Sequence, residues 1–172
     1  PTEAEWEKAA RGPEGSLYPW GDEIDSTKAN FGRTLGTTAQ VSAFPEGKSG
    51  YGVYNMAGNA FEWVSDWYDP NYYKTAIQVM NPTGPTEAVM MGSTGTFVDR
   101  ITGTGGKKVI RGGSWFAPAK TITTTHRFWN APMNNSYGVG LGFRCAVGAE
   151  ADSSLEARSL YMTRGVEAQA EA

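Results

Sequence analysis

The sequence predicts an α+β fold that is low in regular secondary structure, and three observations lead to this prediction. Among its 172 residues are 22 glycines and 9 prolines, which favour many short, irregular connections. The 7 Phe, 8 Tyr and 6 Trp residues, 12% of the chain, predict an aromatic core beneath those connections. Helical and strand-like patterns are confined to short stretches. We therefore expect few helices and strands, joined by long ordered loops.

Length and charge limit the organisation of the chain and its partners. A chain of 172 residues buries one substantial core, so we expect one domain over residues 1–147 followed by a tail over residues 148–172. The net charge is −3, and no long basic tract is present to hold a phosphate backbone. No stretch approaches the roughly 18 apolar residues of a membrane span. The sequence therefore predicts neither a nucleic-acid partner nor a membrane span.

The first predicted element is a short helix over residues 2–11. Thr2 is placed to cap this helix, and Glu5, three positions later, completes a capping box. Trp6 contributes to its apolar face, and Gly12 ends it. Because so short a helix is not stable alone, we expect it to pack on a sheet.

The remaining elements are predicted from shorter patterns. Gly, Pro, Asn and Asp recur in residues 12–50 and predict loops, whereas residues 57–67 are predicted to form a second helix. The Gly/Thr-rich residues 86–108 indicate a hairpin or an inserted loop. The segment KKVIRGGSW, residues 107–115, predicts a short strand and a tight glycine turn. The segment LGFRCAV, residues 141–147, alternates as a final strand does.

The tail over residues 148–172 differs from the domain in composition, because Ala, Glu and Ser dominate it. Ser153 and Glu156 are spaced to open another capped helix, around Leu155 and Leu160. The alternative is a partly disordered extension, which suits a polar terminal segment. Both readings of the tail stay open at this point.

Six short motifs follow one another along the chain: PTEAEWEKAARG, YPWGD, YGVYNMAGNAFEWVSDWY, NPTGP, VIRGGSW and LGFRCA. In order and spacing they resemble the C-terminal part of a domain of the formylglycine-generating-enzyme, or sulfatase-modifying factor, family. The resemblance spans residues 1–147 and implies a C-type-lectin-like α+β fold with an extracytoplasmic location, periplasmic or secreted. It also implies an N-terminal portion before Pro1, so a missing segment or a partner chain would complete the domain.

The segment NMAGNAFE, residues 55–62, suits a calcium loop. Asn and Glu side chains offer hard oxygen donors, and Gly58 and Ala60 let backbone carbonyls turn toward one centre. The resemblance implies that the ligands are Asn55, the carbonyls of Gly58 and Ala60, and the carboxylate of Glu62. The alternative is a helix N-terminus capped by Asn55, with Glu62 in solvent.

The resemblance implies a second calcium site at Asn30 and the carbonyl of Phe31. In this chain the loop that follows contains no acidic residue before Glu46, and a dication binds weakly without a nearby carboxylate. The alternative is a turn that Asn30 stabilises. Calcium is the cofactor that the sequence predicts.

The family's oxidation, as the resemblance implies it, needs two cysteines after the RGGS turn. They bind copper as thiolates and convert a substrate cysteine to formylglycine. No cysteine stands between Gly112 and Arg144, and Ala117 and Ile122 occupy the corresponding positions. Soft thiolates are the ligands that hold Cu(I), so neither side chain can replace them. The one cysteine, Cys145, is predicted to be a buried, inert thiol.

A recognition surface is predicted on the face that the resemblance assigns to the family's active site. Aromatic side chains there supply rigid contact area, and amide side chains supply adaptable hydrogen bonds. The candidate residues are Phe116, His126, Phe128, Trp129, Asn130, Asn134 and Tyr137. The alternative is that the rings belong to the core and the polar side chains to ordinary loops. His126 is the only histidine, so this chain alone cannot build an iron site of two histidines and one carboxylate.

These observations favour a non-catalytic, calcium-stabilised domain of this family. We expect it to bind a protein or a small ligand, or to serve as a scaffold subunit. The alternative is a formylglycine-generating-enzyme-like oxidoreductase whose metal is held by other side chains or shared with a segment outside this chain. The sequence leans toward the first, because no recognisable catalytic group replaces the missing thiolates.

Overall fold

A computed structural model describes residues 1–76, 80–87, 106–132 and 140–147. Two α-helices and four strands occur in this part of the chain, together with two short 3₁₀ turns. The helices are α1 (Glu3–Arg11) and α2 (Tyr72–Thr75), and the strands are β1 (Phe61–Trp67), β2 (Lys108–Arg111), β3 (Phe128–Asn130) and β4 (Leu141–Phe143). A mixed architecture with few helices and a small sheet agrees with the predicted fold class. Neither of the described helices has the length and apolarity to cross a membrane.

Helix α1 forms as its sequence predicts. The Thr2 hydroxyl accepts a hydrogen bond from the Glu5 backbone N–H at 3.2 Å, and the Glu5 carboxylate accepts one from the Thr2 N–H at 2.8 Å. This reciprocal capping box satisfies two of the N–H groups that a helix start leaves unpaired. The helix ends at Gly12, whose φ is 67°. Trp6 and Ala10 face the sheet and are fully buried.

The four strands form one sheet in the order β3-β2-β1-β4. Strand β2 is antiparallel to both β1 and β3, whereas β4 is parallel to β1. Helix α1 covers one face, where Trp6 packs with Val64 and Val109. The Glu62 side chain reaches Trp6 of α1, so its neighbours on the strand, Phe61 and Trp63, project from the opposite face.

The prediction of a helix over residues 57–67 is wrong, because residues 61–67 form strand β1. Buried Val64 and Asp66 alternate there with exposed Ser65, which is the two-residue period of a strand. Before the strand, Gly58 and Asn59 have φ values of 72° and 63°. Left-handed backbone of this kind cannot continue a right-handed helix.

The predicted strand and turn around residues 107–115 are confirmed. Strand β2 runs from Lys108 to Arg111, and Gly112 and Gly113 then turn the chain with φ values of 88° and 75°. A Cβ on Gly113 would lie 2.7 Å from the side chain of Ile122, so this close approach also requires glycine. The predicted final strand is shorter than expected, since β4 ends at Phe143. Residues 88–105 of the predicted insertion and the tail over residues 148–172 lie outside the described residues.

A buried ion cluster joins α1 to the sheet. Arg111 has no exposed surface; its guanidinium lies 2.5 Å from the Glu7 carboxylate and 3.5 Å from that of Glu3. Glu3 is also buried and receives two hydrogen bonds from Arg127, at 2.7 and 2.8 Å. Arg111 further donates to the carbonyls of Thr124 and His126. Each charge is paired, which is the condition for burying charges at all.

We expect Glu3→Gln to lower the free energy of unfolding by about 3 kcal/mol, because it leaves two arginines with too little negative charge in a buried site. Urea denaturation monitored by tryptophan fluorescence measures this loss. The matched control is Glu14→Gln, which removes the same charge from an exposed position. An E3Q chain within about 1 kcal/mol of the unsubstituted chain would contradict the structural role given to this cluster.

Candidate functional site

Ala117 and Ile122, the two positions at which the resemblance implies copper thiolates, lie in the core. Ala117 is 2% exposed and Ile122 is 0% exposed, and both pack in a cluster with Tyr18, Ala29 and Ala57. The Ala117 carbonyl accepts a hydrogen bond from Gly32 at 2.9 Å, which fixes this segment against the neighbouring loop. Both side chains are apolar and offer no metal ligand.

An aromatic face lies beside these buried positions, and we define it as Phe61, Trp115, Phe116, His126 and Phe128. The ring of Phe61 stacks on Phe128 at 5.7 Å and tilts against Phe116 at 6.4 Å. His126 stacks on Phe128 at 6.4 Å, and Trp115 meets Phe116 edge-on at 5.6 Å. Phe128 is 46% exposed, so the face is open to solvent at its centre. Offset and edge-on rings at these distances make a rigid contact surface.

The structure therefore brings together three of the predicted surface residues, Phe116, His126 and Phe128. Sequence reasoning missed Phe61 and Trp115. The alternation of β1 is the signal that could have found Phe61, since it places this ring on the sheet face opposite α1.

The other predicted surface residues are placed differently. Trp129 follows Phe128 on strand β3 and packs beneath the Lys107 ammonium at 4.9 Å, with Tyr68 at 6.4 Å. It therefore takes part in the packing between strands, and its ring also stacks on Phe128 at 6.0 Å, so that Trp129 borders the aromatic face. Asn130 is half-buried at the end of β3, where its side chain accepts a hydrogen bond from the Ala131 N–H. The remaining two, Asn134 and Tyr137, lie outside the described residues.

His126 is the titratable group of the aromatic face. Burial lowers its pKa, and the positive charge of Arg111 lowers it further. Both causes disfavour the imidazolium, so the ring is neutral at pH 7. A neutral imidazole keeps one hydrogen-bond donor and one acceptor for a ligand.

The predicted calcium loop gathers oxygen donors around a cation, and that cation is an arginine side chain. The Arg144 guanidinium makes two contacts of 2.5 Å with the Glu62 carboxylate and donates to the Asn55 carbonyl at 3.4 Å. Glu62 also accepts a hydrogen bond from the Trp6 indole at 2.7 Å. The donors fit a cation, but calcium would bind Glu62 only after Arg144 moves away.

Gly58 and Ala60 of the same loop have structural roles that need no metal. A Cβ on Gly58 would lie 2.3 Å from the carbonyl oxygen of Asn30, so only glycine allows this contact. A Cβ on Gly140 would lie 3.4 Å from the Cα atom of Ala60, so the backbones of these two residues approach closely. Neither observation decides whether their carbonyls bind calcium, and that remains a prediction.

The second predicted calcium position fits a cation through an unsatisfied oxygen. Asn30 is 1% exposed, and its side-chain oxygen is buried with no hydrogen-bond donor. Its amide nitrogen donates to the Thr37 carbonyl at 2.8 Å, which fixes the orientation of the group. The Phe31 carbonyl accepts from the Thr34 hydroxyl at 2.9 Å. A buried acceptor without a donor is what a bound cation would satisfy.

Asn59 links the loop over residues 55–62 to the loop over residues 30–39, and the sequence analysis did not predict this role. Its side chain accepts a hydrogen bond from the Ala39 N–H at 2.7 Å and returns one to the Ala39 carbonyl at 3.2 Å. Its own N–H donates to the Asn30 carbonyl, and its carbonyl accepts from Trp115. The left-handed backbone of Asn59, with a φ of 63°, is the conformation for which asparagine is enriched.

The prediction of a buried Cys145 is wrong, because this cysteine is exposed. It follows the end of β4, where the next residues Ala146 and Val147 are exposed as well. The strand predicted over residues 141–147 therefore stops before it reaches the cysteine. Among the described residues, no group of three His, Cys, Asp or Glu side chains is arranged to hold a metal ion.

Comparison with known proteins identifies the family to which these features correspond. A family model described as a sulfatase-modifying factor enzyme 1-like domain matches residues 1–149. The chain is 39% identical over 150 residues to serine/threonine-protein kinase pkn1 of Chlamydia pneumoniae, covering 85% of the chain and 20% of that protein. It is 35% identical over 173 residues to the formylglycine-generating enzyme of Streptomyces coelicolor, covering 89% and 48%.

A third relative has a name that describes it as inactive. The chain is 31% identical over 166 residues to the inactive C-alpha-formylglycine-generating enzyme 2 of Bos taurus, covering 87% of the chain and 44% of that protein. Among solved structures, Treponema denticola variable protein 1 aligns with a TM-score of 0.58 and 28% identity, over 83% of the chain and 45% of that structure. The chain thus spans less than half the length of each of these proteins.

The pKa of His126 should lie below its usual value of 6.5 in the folded chain. A folded pKa below the unfolded one means that the unfolded chain binds more protons, so stability falls as the pH drops below about 6.5. Because His126 is the only histidine, its ring proton signals can be followed without ambiguity in an NMR titration. Between pH 7 and pH 5 the His126→Gln chain should lose less stability than the unsubstituted chain, because it lacks this titrating group. A titration midpoint at or above 6.5 would refute the burial of this ring.

Proposed function

The chain belongs to the family of sulfatase-modifying factor enzyme 1-like domains, and we propose that it serves as a binding or scaffold domain in which the family's oxidase chemistry is absent. The observation that carries this proposal is the burial of Ala117 and Ile122 at the positions of the copper thiolates. An oxidase of this kind needs soft ligands that can reach both metal and substrate. Here both positions contribute to the apolar core.

The aromatic face is the proposed binding surface. Its rings are fixed by mutual contacts and by strands β1 and β3, so little side-chain entropy is lost when a ligand covers them. The half-exposed Phe128 supplies apolar area at the centre, and neutral His126 supplies directional hydrogen bonds. A protein or a small ligand of mixed apolar and polar character fits this surface. The inactive name of the bovine relative supports a member of the family without catalysis.

Calcium is part of the proposal, with Asn30 and the Phe31 carbonyl as its favoured ligands. The buried oxygen of Asn30 has no donor, and calcium would satisfy it while holding the loop over residues 30–39 against Asn59. At the other loop, Asn55, Glu62 and the carbonyls of Gly58 and Ala60 would bind calcium if Arg144 released the carboxylate. Calcium would act there as a structural cross-link between loops.

We further propose that an additional segment, from the same polypeptide or a partner chain, completes the domain beside β4. Strand β4 pairs with β1 on one side, and the described residues contribute no strand on the other. Phe143 at the end of β4 is 74% exposed, and Val147, four residues later, is 68% exposed; a large apolar side chain exposed on an edge strand is a site where another segment can pair. A C-type-lectin-like arrangement of the completed domain and an extracytoplasmic location remain predictions of the same proposal.

The alternative function is an oxidoreductase that holds its metal with other residues or together with another chain. Within the described residues His126 is the side chain that would contribute; it stacks on Phe128, and no described group of three His, Cys, Asp or Glu side chains that could hold a metal includes it. His126→Gln separates the two functions. It should abolish turnover in an oxidoreductase, and in a binding domain it should change only ligand affinity.

Calcium should raise the melting temperature by about 5 °C at a hundredfold excess over its dissociation constant, because it binds only the folded chain. A thermal melt with calcium, with magnesium at equal concentration and with a chelator measures this. Asn30→Ala should lose the calcium effect, whereas the control Asn71→Ala at an exposed position should keep it. A melting temperature that is the same with calcium, magnesium and chelator would exclude calcium stabilisation.

Selection from a random peptide library tests the binding surface directly. We expect peptides that bind the chain and lose at least about tenfold in affinity on Phe128→Ser, since that change removes the centre of the face. Tyr51→Ser, at another half-exposed aromatic ring, is the matched control and should leave affinity unchanged. If no peptide is enriched, or if Y51S weakens binding as much as F128S, the aromatic face is not the binding surface.

A further inference from the structure

A cavity of about 530 Å³ lies between the C-terminal end of α1 and the loops that follow it. Its walls come from residues 11–16, residues 19–21 and residues 46–50, together with Lys28. None of the five residues of the aromatic face lines this cavity. Its volume is within the range of small-ligand sites, so we asked which ligand its walls would accept.

The shape of the cavity is fixed by close contacts between its walls. A Cβ on Gly12, where φ is 67°, would lie 3.2 Å from the backbone of Gly50, and a Cβ on Gly50 would lie 2.8 Å from the Cδ of Pro13. The Ser49 N–H donates to the Val53 carbonyl at 3.0 Å, and the Ser49 hydroxyl accepts from the Val53 N–H at 3.3 Å. Only glycine allows the first two contacts. The loops are therefore in place before a ligand arrives, and binding orders little of the chain.

Trp20 gives the cavity a rigid aromatic wall. Its ring stacks on Tyr18 at 5.5 Å with an angle of 9°, and its indole N–H donates to the Glu23 carbonyl at 2.9 Å. Tyr18 is held in turn by two backbone hydrogen bonds with Gly21, at 2.8 and 3.1 Å. Because Tyr18 covers one ring face and the N–H is already bonded, the surface that Trp20 has left for a ligand is apolar. A flat ring of this kind supplies contact area at a low cost in conformational entropy.

Two of the three cations that line the cavity already have a carboxylate partner. Arg11 pairs with Glu7 at 3.4 Å, and Lys28 pairs with Asp25 at 3.6 Å. Their charges are offset before any ligand binds. The cavity therefore has no surplus of positive charge with which to select an anion.

Three charged side chains of the lining make no ion pair in the part of the chain that the structure describes, namely Glu14, Glu46 and Lys48. All three are exposed, and the Lys48 ammonium lies over the Tyr54 ring at 5.3 Å. The two carboxylates only accept hydrogen bonds, whereas the ammonium only donates them. A hydroxyl group does both, so a ligand with several hydroxyls satisfies the carboxylates and the ammonium together. A charged ligand would meet at least one like charge.

We propose that this cavity binds a neutral saccharide, with the C–H face of one sugar ring stacked on Trp20 and its hydroxyl groups bonded to Glu14, Glu46 and Lys48. A sugar ring carries apolar C–H groups on its face and hydroxyl groups around its edge. These two features complement a flat aromatic wall beside acceptors and a donor. The saccharide site is separate from the binding surface proposed for the aromatic face, because the two share no residue.

The test is saturation-transfer NMR with a panel of neutral trisaccharides built from glucose, galactose, mannose or N-acetylglucosamine. We expect at least one of them to bind with a dissociation constant below about 5 mM. The hydrogens of one ring face should receive the most saturation, because that face lies on the indole. Raising the salt concentration about tenfold should leave the affinity unchanged, since the ligand carries no charge.

Two variants and a matched control locate the site. Trp20→Leu should weaken binding at least about tenfold, because it removes the stacking surface. Glu46→Ala should weaken binding roughly threefold through the loss of one hydrogen-bond acceptor. Glu87→Ala removes the same side chain from an exposed position outside the cavity and should leave binding unchanged. Because Glu46 is exposed, E46A keeps the test valid even if W20L does not fold.

Four results would overturn the proposal. They are the absence of binding by every trisaccharide of the panel, equal weakening by E46A and E87A, loss of binding on F128S, and a preference of more than about tenfold for a charged trisaccharide of glucosamine or glucuronic acid. Loss on F128S would place the saccharide on the aromatic face. A preference for either charged trisaccharide would mean that net charge, and not hydroxyl bonding, selects the ligand.

Discussion

The guanidinium of Arg111 is fully buried, and the fold is arranged to neutralise it. Two carboxylates of α1, Glu3 and Glu7, approach it from one side, and the carbonyls of Thr124 and His126, in the segment after β2, accept hydrogen bonds from its terminal nitrogens. Burial lowers the pKa of Arg111, and the nearby carboxylates of α1 oppose that effect, so docking of α1 supplies the negative charge that offsets the burial of the arginine. The helix and the sheet therefore form together, because either alone would leave charges buried without partners.

Docking of α1 also determines where the candidate site lies. Arg111 is the last residue of β2, and Gly112 and Gly113 turn the chain directly after it. The turn directs Ala117 and Ile122 into the core, while Trp115 and Phe116 remain at the surface beside Phe61. The same local geometry thus buries Ala117 and Ile122 and exposes an aromatic face.

The sequence predicted features that depend on neighbouring residues better than features that depend on distant ones. The capping box of α1 follows from Thr2 and Glu5 three positions apart, and it is confirmed. The segment that forms strand β1 is predicted to be a helix. Large side chains occupy both faces of this strand, so the two-residue period of burial becomes visible only once α1 covers one face. The pairing of Glu3 with Arg127 spans 124 positions, and no local pattern encodes such a contact.

The predictions of site residues also depended on whether the contacts concerned were local or distant in the sequence. The motif that contains Asn55 and Glu62 is recognised from its oxygen donors and from the family resemblance. The partner of Glu62, Arg144, is 82 positions away and cannot be predicted from the loop itself. The burial of Cys145 is predicted from the general tendency of free cysteines, but β4 ends at Phe143 and the cysteine is exposed. The aromatic face needed Phe61 and Trp115, whose proximity depends on the register of β1 with β2 and on the turn at Gly112.

Affinity for Cu(I) is the measurement that tests most directly whether the oxidase chemistry is absent. A Cys145→Ser chain, which has no thiol, competes with a colorimetric Cu(I) chelator, and Ala117→Cys with Ile122→Cys in the same background serves as the comparison. We expect the C145S chain to leave all the copper with the chelator, because apolar side chains fill the ligand positions. A tight, stoichiometric Cu(I) site in the C145S chain would contradict the assignment of this protein as a binding domain.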